Sequence, residues 1–132
     1  MAPPRFSPDD ACAIVAIPAS TLLAWRQGAA PDCDDRDGRP FALSDLVALA
    51  VTRELAGRVG PRLGDFASGV AQVFCTLAAN YDLERADDLS AVIGRDFGFL
   101  WPIRHPGQHQ ERDIVVVPLR PLLRELRDQV FP

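Results

Sequence analysis

The chain contains no lysine; all 14 of its basic residues are arginine. It has one methionine, one tyrosine and two histidines in 132 residues. No apolar run approaches the roughly 20 residues that a bilayer-spanning helix needs, which excludes a helical membrane span. The opening, MAPPRFSPDD, lacks the apolar centre of a secretory leader, and a cytoplasmic protein is expected. Three widely spaced cysteines, Cys12, Cys33 and Cys75, include no CxxC pair, which argues against a disulfide framework and against a thiolate zinc site. Cys12 and Cys75 read as small buried hydrophobes. Cys33 sits among Asp32, Asp34 and Asp35, whose negative field keeps it a protonated, unreactive thiol.

Chemical fingerprints are missing as well. Nothing resembles a nucleophile elbow, a phosphate-cradling loop or a dinucleotide motif, so neither an enzyme nor a cofactor is expected. His105 and His109 have a spacing that binds metal on a helix, but Pro106-Gly107 between them opposes a helix and no third ligand is evident. No metal site is expected. Paired acids such as Asp87-Asp88 read as polar surface.

What remains is ordinary globular material: 48% hydrophobic and 24% charged, with a net charge of −4. Residues 1–62 carry seven arginines against eight acids, and residues 63–132 seven against ten. Neither half is a basic nucleic-acid arm. Any contact with DNA has to come from the local placement of arginines.

Ser7-Pro8-Asp9-Asp10 reads as a helix start, with Ser7 as cap, Pro8 in the first turn and Asp10 completing a capping box. That helix should stop near Ala16-Ile17, because Pro18 disfavours helix before it. A second helix is expected over Ala19–Gln27, burying Leu22 and Trp25 and stopped by Gly28. Residues 29–43 read as a loop with a hairpin-turn signal at Asp37-Gly38. A third helix starts at Ser44-Asp45 and ends by Gly57 or Gly60-Pro61. A fourth fits Leu63 to Ala79, with a broad apolar face of Leu63, Phe66, Val70, Val73, Phe74 and Leu77. Beyond Tyr81, AVIGRDFGFLWPI and DIVVVPL are β-type segments separated by RHPGQHQER, and PLLRELRDQV is a short amphipathic helix. The expected fold is α+β, mainly α: a winged helix-turn-helix of three to four helices over residues 1–80, then a β-hairpin and C-terminal helix over 81–132 for dimerisation or sensing.

In IPASTLLAWRQG and the later DGRPFALSDL, the order and spacing of two blocks resemble the DNA-binding domain of the mercury-resistance-regulator (MerR) family. Ile17, Thr21, Leu22 and Trp25 match the first block, and Arg39, Phe41, Ser44, Asp45 and Leu46 the second. The match covers about residues 6–79. It implies a helix-turn-helix and wing that bind double-stranded DNA as a homodimer in transcription regulation. Three departures stand out: the family's recognition-helix arginine falls on Leu23, its aromatic neighbour on Ala24, and its acid after the tryptophan on Arg26. The family's long dimerising helix and its metal-sensing cysteines have no counterpart here.

The candidate DNA contacts are Ser20, Thr21, Arg26, Gln27, Arg36, Arg39 and Arg53. Ser20 and Thr21 lie at the start of the second helix, where short hydroxyls meet phosphates or base edges; the alternative is that they only cap it. Arg26 and Gln27 lie a turn later, and arginine and glutamine are the usual readers of guanine and adenine. Arg36 and Arg39 flank the wing turn, in a loop shared with Asp32, Asp34, Asp35 and Asp37. Arg53, Arg58 and Arg62 recur along and after the third helix, either bracing phosphates or lining a solvated face. The broad face of the fourth helix points to a homodimer, unless Phe97, Phe99, Trp101 and Val115 of the tail cover it. The close run of Phe97, Phe99, Leu100 and Trp101 also suits a ligand pocket or a protein-binding surface. The rival classes are a protein–protein interaction module on a helix-turn-helix scaffold and a phage-type accessory DNA-binding protein.

Overall fold

A computed structural model of the chain describes residues 5–21, 41–78, 88–102 and 114–130. The elements run β1 (Arg5–Phe6), α1 (Pro8–Val15), α2 (described over 19–21), β2 (Phe41–Ala42) and α3 (Leu43–Val59). A 3-10 segment (Gly60–Phe66), α4 (Ala67–Ala78), β3 (Ser90–Ile93), β4 (Gly98–Trp101), β5 (Val115–Pro118) and α5 (Leu119–Val130) follow. The protein is therefore α+β and mainly helical, with a small antiparallel sheet and a C-terminal helix.

Helix α1 begins as its residue types dictate. The Ser7 hydroxyl accepts from the Asp10 amide at 3.1 Å, and the Asp10 carboxylate accepts from the Ser7 amide at 3.4 Å. Such a cap stabilises a helix by about 1 kcal/mol. The helix ends at Ala16, which is left-handed at φ 63°, and the Ile17 amide reaches back to the Cys12 carbonyl at 3.0 Å. This is the closing geometry that glycine usually supplies.

In α3, Leu46, Leu49, Ala50 and Leu55 recur at helical spacing, the pattern of a helix buried on one face. Instead every residue from Asp45 to Thr52 is buried. Residues LVALAVT are apolar all round because the helix runs through the middle of the molecule, with α1, α4, α5 and β5 against it. Thr52 satisfies its hydroxyl on the Ala48 carbonyl at 2.9 Å, so it adds no unpaired polar group to that core. One hydrophobic core joins Ala11 and Val15 of α1 to Leu119, Leu122, Leu123 and Leu126 of α5. Both halves of the chain thus share it.

Three local differences from the sequence expectations have clear causes. Leu63 does not open an α-helix: Gly60, at φ 56°, and Pro61 start a 3-10 segment, and α-helix resumes only at Ala67. AVIGRDFGFLWPI is two strands rather than one, because Gly94 donates to the Phe97 carbonyl at 2.8 Å and closes a two-residue turn at Arg95-Asp96. The third strand comes from VVVP, giving the order β4-β3-β5, antiparallel throughout. Finally, β2 pairs with the N-terminal β1, Phe6 opposite Phe41. The expected wing turn at Asp37-Gly38 lies outside the described residues.

Helix α4 packs on the inner face of the sheet at backbone distance. A Cβ on Gly98 would overlap the Gly69 carbonyl, and one on Gly69 would meet the Phe97 carbonyl at 2.5 Å. Val70, Val73, Phe74 and Leu77 are consequently buried within this one chain. The face expected to receive a second copy is closed by the chain's own sheet.

Candidate nucleic-acid interface

The segment expected to meet DNA starts at the turn after α1. Left-handed Ala16 reverses the chain, Ile17 is buried, and Pro18 accepts from the Thr21 amide at 3.0 Å as helical backbone resumes at 19. Ile17 anchors the turn to the core. Pro18, Ala19 and Ser20 are left in solvent, with Thr21 half-buried. The described end of α2 thus leaves the Ser20 side chain in solvent.

Of the other candidate contacts, Arg26, Gln27, Arg36 and Arg39 lie outside the described residues, as do Leu22, Leu23 and Trp25. Arg53 is described, and it does not line a solvated helix face. One of its terminal nitrogens donates to the Val15 carbonyl at 2.7 Å and to Glu125 at 3.0 Å. The other donates to the second Glu125 oxygen at 3.0 Å and to Glu54 at 3.2 Å. Hydrogen bonding to Glu125 holds the guanidinium above its already high ordinary range, against the opposing effect of burial. Both hydrogens on each terminal nitrogen are engaged, so the fork that would grip a phosphate is occupied. Arg58 is similarly used inside the molecule, donating to the Val116 carbonyl at 2.6 Å. Arg62 lies over the Phe66 ring at 5.7 Å and near Asp65.

Asp45 and Leu46, from the second block of the family pattern, are both buried in α3. Cys12 is a half-buried free thiol whose pKa is pushed up, first by burial and then by the nearby Asp9 charge. Cys75 departs from expectation. It is exposed on α4 and disulfide-bonded. Among the described residues no group of three or more metal-ligating side chains comes together, and no helix is long and apolar enough to cross a membrane. His105 and His109 fall outside them.

A second surface is better defined than the sequence alone made it. Phe97, Phe99 and Trp101 are 36%, 41% and 57% exposed, and they are the large hydrophobic side chains left in solvent among the described residues. Phe97 and Phe99 stack at 5.7 Å, and Phe99 meets Trp101 edge-on at 6.2 Å. Their alternation with Gly98 and Leu100 was the readable signal. A period of two puts the three rings on one face of β4, while Gly98 and Leu100 turn to the core. The Arg53–Glu125 pair, 72 residues apart, had no such signal.

No family model matches this chain. Neither the curated proteins nor the solved structures hold a match to it.

Proposed function

We propose that the protein is a DNA-binding transcriptional regulator of helix-turn-helix type, a binding protein of the cytoplasm rather than an enzyme. The observation that carries this reading is the turn: left-handed Ala16, buried Ile17 and Pro18 lead into helical backbone whose Ser20 stands in solvent. In a helix-turn-helix the start of the second helix enters the major groove, where a short hydroxyl meets a phosphate or a base edge. Ser20, Thr21, Arg26 and Gln27 form that reading element, and Arg36 and Arg39 flank a wing. With a net charge of −4, affinity depends on these few arginines rather than on bulk attraction. Arg53 is not among the contacts in this reading, because its fork is taken.

A homodimer lets two such units read adjacent half-sites. With the α4 face closed, the second copy docks on the Phe97–Phe99–Trp101 stripe. No charged residue lies in any of the three strands, and a second copy brings the same rings to the contact. The same stripe supports a second reading, in which the chain is a protein-interaction module on a helix-turn-helix scaffold.

Binding to duplex DNA measured against salt separates the two. The native protein should lose affinity steeply as salt rises. Arg26→Ala combined with Arg39→Ala should flatten the log–log slope by about 2, close to one per phosphate contact removed. No binding at about 50 mM salt, where electrostatic attraction is strong, would leave the interaction module as the reading.

A further inference from the structure

Helix α1 carries no basic residue in its own last turn. The partial negative charge of its final carbonyls is met instead by Arg53 of α3, whose guanidinium donates to the Val15 carbonyl at 2.7 Å. The same group is clamped bidentately by Glu125 of α5, at 3.0 Å to each carboxylate oxygen. Arg53 is largely buried, its side chain 21% exposed, and Glu125 covers it from the outside at 44%. Val15 immediately precedes the left-handed turn residue Ala16, and Ser20 follows four residues later. A line of polar contacts therefore runs from the C-terminal helix, through one guanidinium, to the last carbonyl of α1, beside the turn that leads to Ser20.

We propose that Arg53 and Glu125 are positioning residues: the C-terminal helix, acting through Arg53, fixes the angle at which the Ser20 end of α2 is presented. This rests on the DNA-binding reading above. It also assigns α5 a function besides closing the core. A change in α5 is transmitted to the reading element because Glu125 aims the fork at Val15. A planar bidentate pair holds that aim where a single point charge would not.

Glu125→Gln tests the proposal, since it keeps size and one acceptor while removing the charge that fixes the fork. Affinity for a generic DNA duplex is measured by fluorescence anisotropy at a temperature where circular dichroism shows both proteins fully folded. Under that condition a loss of stability alone leaves affinity unmoved. The expected result is binding roughly tenfold weaker, as for other residues that couple without touching the ligand, with the native salt slope. Unchanged affinity overturns the proposal. So does tighter binding with a steeper slope, which would mean that Arg53, released from Glu125, contacts a phosphate.

Hydrogen exchange of the free protein supplies a readout that needs no DNA. The Ile17 and Thr21 amides, bonded to the Cys12 and Pro18 carbonyls, should exchange faster in Glu125→Gln, while amides in the middle of α4 do not change. Equal protection at Ile17 and Thr21 overturns the coupling itself. Faster exchange in a protein that binds no DNA upholds the coupling and sinks the functional reading instead.

Discussion

At the scale of single residues, the two described cysteines are chemically opposite. Cys12 sits half-buried on α1 beside Asp9, and both burial and that negative charge favour its neutral form. The folded chain therefore holds the Cys12 proton more tightly than the unfolded chain. The resulting stabilisation is present below the ordinary thiol pKa of 9.0 and is lost as pH climbs from there through the raised value. Cys75 is exposed, but it is held in a disulfide. Alkylation with iodoacetamide followed by mass spectrometry should find Cys12 slow at pH 7.5, gaining about tenfold in rate per pH unit while the thiolate is scarce. Cys75 should stay unmodified until the protein is reduced. Labelling of Cys75 in the unreduced protein, or fast labelling of Cys12 at neutral pH, would contradict these assignments. The outward position of Cys75 was legible: Val73, Phe74 and Leu77 set the inner face of the helix, and residue 75 falls on the other side. Reading cysteine by its average burial, rather than by its place in the period, hid this. Its disulfide was not legible, because pairing depends on which segments the fold brings together.

At the scale of elements, the small sheet shows how helices protect it. A sheet edge presents unpaired amides and carbonyls that invite another chain to pair. At the start of β4 the Gln72 side chain from α4 meets that edge, donating to the Asp96 carbonyl of the turn at 2.9 Å and accepting from the Gly98 amide at 3.3 Å. On β5, Arg58 from α3 takes the outward Val116 carbonyl. Helix and hairpin come close enough for the Gln72 contact only because Gly69 and Gly98 meet without side chains. Gly98→Ala should accordingly destabilise the fold by about 1–3 kcal/mol, since the added methyl strikes the Gly69 backbone rather than a side chain that can swing away. Urea denaturation measures this, and a loss under about 0.5 kcal/mol would mean that α4 and the hairpin are not in backbone contact. The sequence carried the local signals well. The capping box, the stop before Pro18 and the start of α3, expected at Ser44-Asp45 and found one residue earlier at Leu43, all rest on neighbouring residues. What it did not carry was a turn as short as Arg95-Asp96, or the all-round burial of α3. The first is marked only by flanking glycines; the second depends on what the rest of the chain wraps around that helix.

At the scale of the whole molecule, one core unites the two ends of the chain, and the C-terminal segment fills the space that a partner was expected to fill. The apolar face of α4 was legible as a period; its occupant was not, because hydrophobic spacing says that a face is covered and not by what. With that face closed and a helix side chain bonded at one point of each sheet edge, the outer surface of β4 is where the described large apolar side chains still meet water. Two stacked phenylalanines and an edge-on tryptophan resist solvation as a group, and an exposed patch of this kind ordinarily marks an interface. A dimer formed there joins two sheets face to face, with each Trp101 brought out of water against the partner's rings. Light scattering after gel filtration should give twice the 14.4 kDa chain mass for the native protein. Phe99→Ser combined with Trp101→Ser should give the single-chain mass. Because these rings stand outside the shared core, the double variant should keep an unfolding free energy in urea within about 0.5 kcal/mol of that of the native chain, compared at a dilution where both are monomers. A native protein that runs as a monomer at about 100 μM, well above the Kd of a typical specific interface, removes the second copy from this surface. The stripe would then belong to a different protein, and the interaction-module reading would gain what the paired half-sites lose.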